Sequence, residues 1–175
     1  MRPAKPILIA VAIATFAYVA YPYVTLARLG AALGRGDAKP LESLVAWGKV
    51  REGIKEDISD DVADAPADGT ALRPFGYSFV RGVMANAVDR RVSPHGVLAM
   101  ARRYDPASVT LGAVTGVRWA FFDDGPTAFV AELSPPGAVG GEEPVRVQME
   151  LRGMYWQVTR VWLPHRLLVA ANDPG

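Results

Sequence analysis

Residues 145–152 read VRVQMELR, and the apolar residues Val145, Val147, Met149 and Leu151 alternate strictly with charged or amide side chains. Successive side chains of a β-strand point to opposite faces, so a period of two is typical of a strand with one buried face. This stretch therefore predicts a strand whose apolar face lies in the core and whose polar face lies in water.

Three further segments carry strand signals. They are residues 114–123, 127–133 and 154–164. Asp124-Gly125, between the first two, is a typical hairpin turn, and Arg152-Gly153 turns residues 145–152 into the last segment. The pattern predicts a four-stranded antiparallel meander.

The first and last predicted strands differ in how clearly they define a buried face. In the first, Val117, Trp119 and Phe121 alternate against Arg118 and Ala120, which places the two aromatic rings on the apolar face.

In the last strand, Trp156 and Val158 share one face, whereas Val161 and Leu163 fall on the other. A bulge between the two pairs would bring both of them onto the core.

Before residue 112 the apolar period is that of helices. Apolar stripes at helical spacing mark residues 23–33, 39–46, 50–62 and 75–92, and Ser93-Pro94 begins a further helix. Helices followed by strands predict an α+β fold, with an N-terminal membrane helix and then helices packed on one face of a four-stranded antiparallel sheet. A cystatin-like or nuclear-transport-factor-like cone is the expected form.

The N-terminal segment is the most apolar part of the chain. Arg2 and Lys5 precede a run without charge from Pro6 to Leu26. A hydrocarbon core of about 30 Å takes about 20 apolar residues to span as a helix, and this run is just long enough. Three tyrosines at its far end fit the aromatic belt of a membrane boundary: Tyr18, Tyr21 and Tyr23.

Three interpretations of this segment stay open: an uncleaved anchor, a cleaved signal peptide and a buried core helix. Because the positive charges precede the run, Met1 is expected in the cytoplasm and the rest outside. The predicted organisation is an anchor or signal over residues 1–24, one extracytoplasmic α+β domain over residues 25–165 and a loose tail over residues 166–175. The predicted location is the inner membrane, crossed once, with the C-terminal domain in the periplasm.

The composition excludes several functional classes. The formal net charge is +1, whereas general nucleic-acid binders carry a clear basic excess, so no nucleic acid is expected as a partner. The absence of cysteine excludes disulfides, thiolate zinc sites and iron–sulfur clusters. With two histidines and no nucleophile or phosphate-binding motif, we expect no catalytic residues, no metal site and no cofactor.

The predicted sheet is rich in aromatic residues, which in a cone-shaped fold can line a pocket for a small apolar ligand beside a few polar groups. Ordinary core packing accounts for the same residues. The candidate pocket residues are Trp119, Phe121, Phe129, Trp156, Arg118 and Arg160.

Several segments together carry a family resemblance. They are Tyr21-Pro22-Tyr23 after the apolar run, Val50-Arg51 with Ile54-Lys55, Ser93-Pro94-His95-Gly96, and the closing strand with Trp156, Val158, Val161, Leu163 and Pro164. Over most of residues 20–164 the chain resembles the bacterial "domain of unknown function 2939" family of small membrane-anchored proteins. The resemblance implies a membrane-anchored organisation and no established activity or catalytic residues.

These features favour a membrane-anchored extracytoplasmic protein with a non-catalytic binding or scaffolding domain that contacts another envelope protein. The alternative is a small-molecule pocket in a cone-shaped α+β fold, with weak enzymatic activity. A filled core beside an exposed apolar patch would favour the first, and an elongated apolar cavity would favour the second.

Overall fold

One antiparallel sheet of four strands, in the order β1-β2-β3-β4, is present in the computed structural model of the chain. The structure describes residues 4–64, 74–103, 117–134 and 143–163. The strands are β1 (Val117–Phe122), β2 (Ala128–Leu133), β3 (Val145–Arg152) and β4 (Tyr155–Trp162). Each strand pairs with its neighbour along the chain, so the predicted meander is confirmed.

Within the described residues, five helices precede the sheet and complete the predicted α+β fold. They are α1 (Ala4–Arg35), α2 (Ala38–Leu44), α3 (Trp47–Asp64), α4 (Pro74–Arg91) and α5 (Pro94–Arg103). Residues of α1 to α4 share one hydrophobic core with one face of the sheet, which we call the inner face. The cone-shaped form stays a prediction.

The alternation that predicts β3 is present in the structure. Val147 and Met149 are buried on the inner face, whereas Arg146 between its apolar neighbours is exposed. Phe129 and Ala131 of β2 are paired with Met149 and Val147, so they lie on the same inner face and are fully buried. The opposite side of the sheet is the outer face.

A bulge in β4 confirms the irregularity predicted for the last strand. Met149 pairs with Val158 and Gln148 pairs with Arg160, which leaves Thr159 as the extra residue. The extra residue reverses the alternation, and Val161 therefore packs against the core on the same face as Val158.

A second bulge, in β1, was not predicted. Val117 pairs with Leu133 and Trp119 pairs with Glu132, so Arg118 is the extra residue of this strand. A shift of one residue moves every later side chain to the other face of the sheet.

The bulge corrects the predicted buried face of β1. Ala120 and Phe122 pack against the core. Trp119 and Phe121 lie on the outer face and are exposed. The prediction that both aromatic rings occupy the core face of β1 is therefore wrong, because the strand changes phase at its second residue.

Helix α1 has two parts with different surroundings. Residues 5–17 are exposed along their whole length. From Tyr18 onward the helix packs on the sheet and on the other helices, with Leu26 and Ala32 buried. The helix continues through Pro22, which is also buried, and the domain boundary predicted after residue 24 falls within this packed part.

Local side-chain chemistry defines where the helices begin and end. Gly36 follows α1 with a φ of 69°, a left-handed conformation that glycine adopts at low cost. The Asp37 side chain then accepts a hydrogen bond from the Lys39 N–H at 3.2 Å and caps α2. Ser93 Oγ accepts the Gly96 N–H at 3.1 Å and begins α5 as predicted.

The two residues that connect α2 and α3 lie along the edge of β4 that faces away from β3. Val45 forms a parallel bridge with Val158, and the Ala46 N–H donates to the Val158 carbonyl at 2.8 Å. The break between the two helices thus lies at Val45-Ala46, directly before Trp47. Because an open strand edge invites pairing with other chains, this bridge protects one side of the sheet.

Candidate functional site

The six predicted pocket residues are divided between the two faces of the sheet. Phe129 and Trp156 lie together on the inner face, with 6.3 Å between their ring centroids. Trp119 and Phe121 lie on the outer face. The two candidate arginines stand at or beside the bulges of β1 and β4. The structure therefore brings the six residues together at no single point.

The inner aromatic residues form a packed cluster to which α1 contributes. Phe122 lies edge-to-face against Phe129 at 5.3 Å and against Trp156 at 5.9 Å. Tyr18 of α1 stacks on Phe122 at 6.1 Å and lies 6.3 Å from Trp156. These are favourable separations and orientations for aromatic pairs. We call Tyr18, Phe122, Phe129 and Trp156 the inner aromatic cluster.

Burial of the inner aromatic cluster gives it a packing role. Phe129 and Trp156 are among the largest fully buried side chains of the described residues. Trp156 Nε1 has no hydrogen-bond partner within the described part of the chain, which costs about 1–3 kcal/mol. Because these rings contact one another, ordinary core packing, which the sequence also allows, accounts for Phe129 and Trp156.

The outer face carries an exposed aromatic pair. Trp119 is 69% exposed and Phe121 is 48% exposed, and both belong to β1. Beside them Val130 of β2 also points to the outer face, where Phe121 and Gln148 are its neighbours on the adjacent strands, and it is only 3% exposed. We call Trp119 and Phe121, with Val130 beside them, the outer aromatic patch.

Charged residues flank the outer aromatic patch, and several of them are paired. Arg146 Nη2 lies 2.8 Å from Glu132 Oε1, next to Trp119 across β2. Lys49 Nζ of α3 lies 2.8 Å from Glu150 Oε2 of β3. An aromatic centre with a polar rim is the usual composition of a protein-binding surface.

Arg160 connects β4 to α3 through ion pairs. Its Nη2 lies 2.7 Å from Asp57 Oδ1, and its Nη1 lies 3.4 Å from Glu56 Oε2. The guanidinium also lies over the Trp162 ring, 5.2 Å from the centroid. A Cβ at Gly53 would meet Arg160 Cγ at 3.3 Å, so the absence of a side chain there allows the close approach of α3. Arg118 is exposed at the β1 bulge and makes an interaction of its own.

Sequence reasoning missed Tyr18 and Phe122 as members of the core. The sequence places Tyr18 in a membrane belt, because an aromatic residue at the end of an apolar run suits both places. Phe122 falls on the wrong face when β1 is read without the bulge at Arg118. The signal in the sequence is that Phe121 and Phe122 are adjacent, so β1 has an aromatic side chain for its core face in either alternation.

Among the described residues, no group of three or more His, Cys, Asp or Glu side chains could hold a metal ion. Asp89 of α4 lies instead 2.7 Å from Lys55 Nζ and 3.6 Å from Arg51 Nε of α3. His95 is exposed near the start of α5.

Helix α1 is long and apolar enough to cross a membrane, by length and composition, and it is the one such helix in the described chain. Its most apolar part is almost entirely unburied. A buried core helix, one of the three interpretations of this segment, therefore describes only the part of α1 from Tyr18 onward.

The comparisons with known proteins identify a family and no individual relative. A family model described as "Protein of unknown function (DUF2939)" matches residues 11–100, slightly more than half of the chain. No curated protein and no solved structure matches the chain. The matched region contains the packed part of α1 and most of the other helices, and it ends before the sheet.

Proposed function

The chain belongs to the DUF2939 family, and from this premise we propose that it is a membrane-anchored, non-catalytic module that binds another protein through its outer aromatic patch. In this proposal residues 5–17 of α1 are the anchor in the inner membrane. The folded domain lies in the periplasm, and its partner is another protein of the cell envelope.

One observation carries the binding role. The side chains of the inner aromatic cluster pack against one another, whereas Trp119 and Phe121 remain exposed on the opposite face. Exposed tryptophan is costly to leave in water and is enriched among the residues that dominate binding energy. The same contrast argues against the alternative of an apolar small-molecule pocket, because its proposed lining is filled by neighbouring rings.

The anchor is supported by the exposure of the first part of α1. Ile7, Leu8 and Ile9 are each at least 60% exposed, and Phe16 is 76% exposed. A continuous apolar helical surface of this kind needs lipid or another apolar surface to cover it. Arg2 and Lys5 precede it, so the positive-inside tendency favours a cytoplasmic N-terminus and an external domain.

Photocrosslinking tests the binding surface. A photoreactive phenylalanine at position 121 should give a discrete adduct with one protein in intact cells, whereas the same residue at Val83, an exposed position of α4, should not. Trp119→Glu should remove the adduct, because a charge beside position 121 disrupts an apolar contact. An adduct that forms equally at position 83, or that survives Trp119→Glu, would contradict the proposal.

Once the crosslinked protein is identified, its affinity gives a quantitative test. A central aromatic residue of an interface contributes at least about 2 kcal/mol, so Trp119→Ala should weaken binding about 30-fold. A fusion of alkaline phosphatase to the C-terminus tests the topology, because that enzyme is active only outside the cytoplasm. An inactive fusion at normal expression would refute the periplasmic location while leaving the binding surface to its own test.

A further inference from the structure

We propose that the turn between β3 and β4, residues 152–155, is a second membrane contact that seats the folded domain directly on the bilayer. We call these residues the hairpin tip. The inference rests on the anchoring role proposed for α1 and adds a lipid-binding surface on the domain itself.

The side chains of the hairpin tip have the chemistry of a membrane interface. Met154 is 78% exposed and Tyr155 is 67% exposed, the former more than any other large apolar side chain in the described chain. Arg152, also exposed, pairs with Tyr155 across the turn. An apolar side chain beside a tyrosine and a cation suits the boundary between acyl chains and headgroups.

The hairpin tip lies at the end of the sheet from which α1 departs. The turn between β1 and β2 is at the same end, and the Leu151 N–H donates to the Thr127 carbonyl at 2.9 Å. The Tyr18 hydroxyl of α1 donates to the Pro126 carbonyl in that turn. Further along α1, Tyr23 donates to Ala120 at 3.3 Å, towards the middle of β1. The residues of α1 before Tyr18 therefore project beyond the two turns.

The length of the free part of α1 brings this end of the sheet to the membrane. At about 1.5 Å per residue, residues 5–17 extend about 20 Å, so they cross a hydrocarbon core of about 30 Å only where the bilayer thins and Lys5 extends towards the far headgroups, and no length is left to hold the turns away from the membrane. Residues 5–17 continue directly into Tyr18 within the same helix, and Tyr18 contacts the sheet. Any placement that buries residues 5–17 in acyl chains thus brings the turns down to the headgroups.

The hairpin tip reaches slightly further than Tyr18 does. Met154 is two residues beyond Trp156, about 7 Å at the usual rise of a strand, and Trp156 contacts Tyr18. Asp123 and Asp124, which are exposed in the turn between β1 and β2, limit the depth because a carboxylate is costly among acyl chains. The contact is therefore at headgroup depth, with Met154 at the acyl boundary.

Fluorescence of single-cysteine variants tests the contact, because the chain contains no cysteine of its own. The full chain carries Met154→Cys at the hairpin tip, Ser134→Cys at the opposite end of the sheet, or Ala12→Cys in the free part of α1. Each variant is labelled with the same polarity-sensitive fluorophore and reconstituted in phosphatidylcholine vesicles with and without phosphatidylglycerol. Spin-labelled lipids then quench any fluorophore that lies in the bilayer.

The expected result is a blue-shifted emission and severalfold stronger quenching at positions 12 and 154 than at position 134. If the fluorophore at position 154 is quenched as little as that at position 134, while that at position 12 is quenched, the hairpin contact is overturned and the anchor remains. An unquenched position 12 would overturn the anchor and the hairpin contact together. The quenching at position 154 should increase with phosphatidylglycerol, because Arg152 attracts an anionic headgroup.

Discussion

Trp156 on the inner face and Trp119 on the outer face are the same residue type in one sheet, yet Trp156 is 1% exposed and Trp119 is 69% exposed. Phe129 and Phe121 repeat the contrast, with 0% and 48% exposure. Composition does not distinguish the members of either pair. Strand register distinguishes them, because two bulges determine which side chains of β1 and β4 face the helices.

Aromatic residues have different roles on the two faces of the sheet. On the inner face they stabilise the fold by burying apolar area against α1 and α3. On the outer face Trp119 and Phe121 lie outside the hydrophobic core and remain largely exposed. Substitutions on the two faces should therefore act on different measurements, stability on one side and binding on the other.

Trp156→Ala should have the largest effect on stability. Truncating a buried tryptophan removes its contacts with Tyr18, Phe122 and Phe129 and leaves a cavity, which costs about 3–5 kcal/mol. Denaturant unfolding of the full chain in mild detergent measures this loss. The matched control is Trp119→Ala, which should change stability by less than about 0.5 kcal/mol. Equal losses for both variants would contradict the assignment of faces.

Val130→Ala should have an intermediate effect and sharpens the definition of the outer face. Val130 points outward but is buried, and the substitution removes two methyl groups at about 0.8 kcal/mol each. We expect a loss of about 1.5 kcal/mol by the same unfolding measurement. A loss comparable to that of Trp156→Ala would mean that Val130 belongs to the core. An unchanged protein would mean that Phe121 and Gln148 do not shield it.

The ion pair of Arg160 with Asp57 should contribute less than either buried side chain. Both side chains are about one-third exposed, so solvent screens the interaction. A double-mutant cycle with Arg160→Gln and Asp57→Asn should give a coupling energy of about 0.5–1 kcal/mol that decreases with added salt. A coupling that is unaffected by salt would indicate a more buried pair than the structure contains.

Phe121→Ser should have the smallest effect on stability and a large effect on binding. The ring is half exposed and lies outside the inner aromatic cluster, so the change in unfolding free energy should stay within about 0.5 kcal/mol. Crosslinking from position 119 to the partner should be lost in the same variant. Marked destabilisation without loss of the crosslink would reverse the roles assigned to the two faces.

The sequence predicted the elements that depend on local pattern. The strict alternation of residues 145–152 predicted β3, and the phase change between Val158 and Val161 predicted the bulge of β4. Ser93 predicted the start of α5, since capping needs a side-chain acceptor at one position only.

The elements that depend on long-range packing were not predictable in the same way. The bulge at Arg118 leaves an alternating pattern on both sides of it, so either phase of β1 fits the sequence. Tyr18 satisfies the chemistry of a membrane belt and of a protein core equally well. The candidate pocket residues are divided between the two faces for the same reason, because the bulge at Arg118 turns Trp119 and Phe121 away from Phe129.

The contact between Tyr18 and Trp156 joins the first helix of the chain to its last strand. A ribosome makes α1 well before β4, so the part of α1 around Tyr18 has no packing partner until the strands are made, whereas Ala32 further along α1 packs with Leu41 of the adjacent α2. Contacts of such wide sequence separation slow folding, because the intervening chain must be ordered before they form. During synthesis the nascent helices therefore have no completed sheet to pack against, and a product truncated ahead of Trp156 would leave them uncovered.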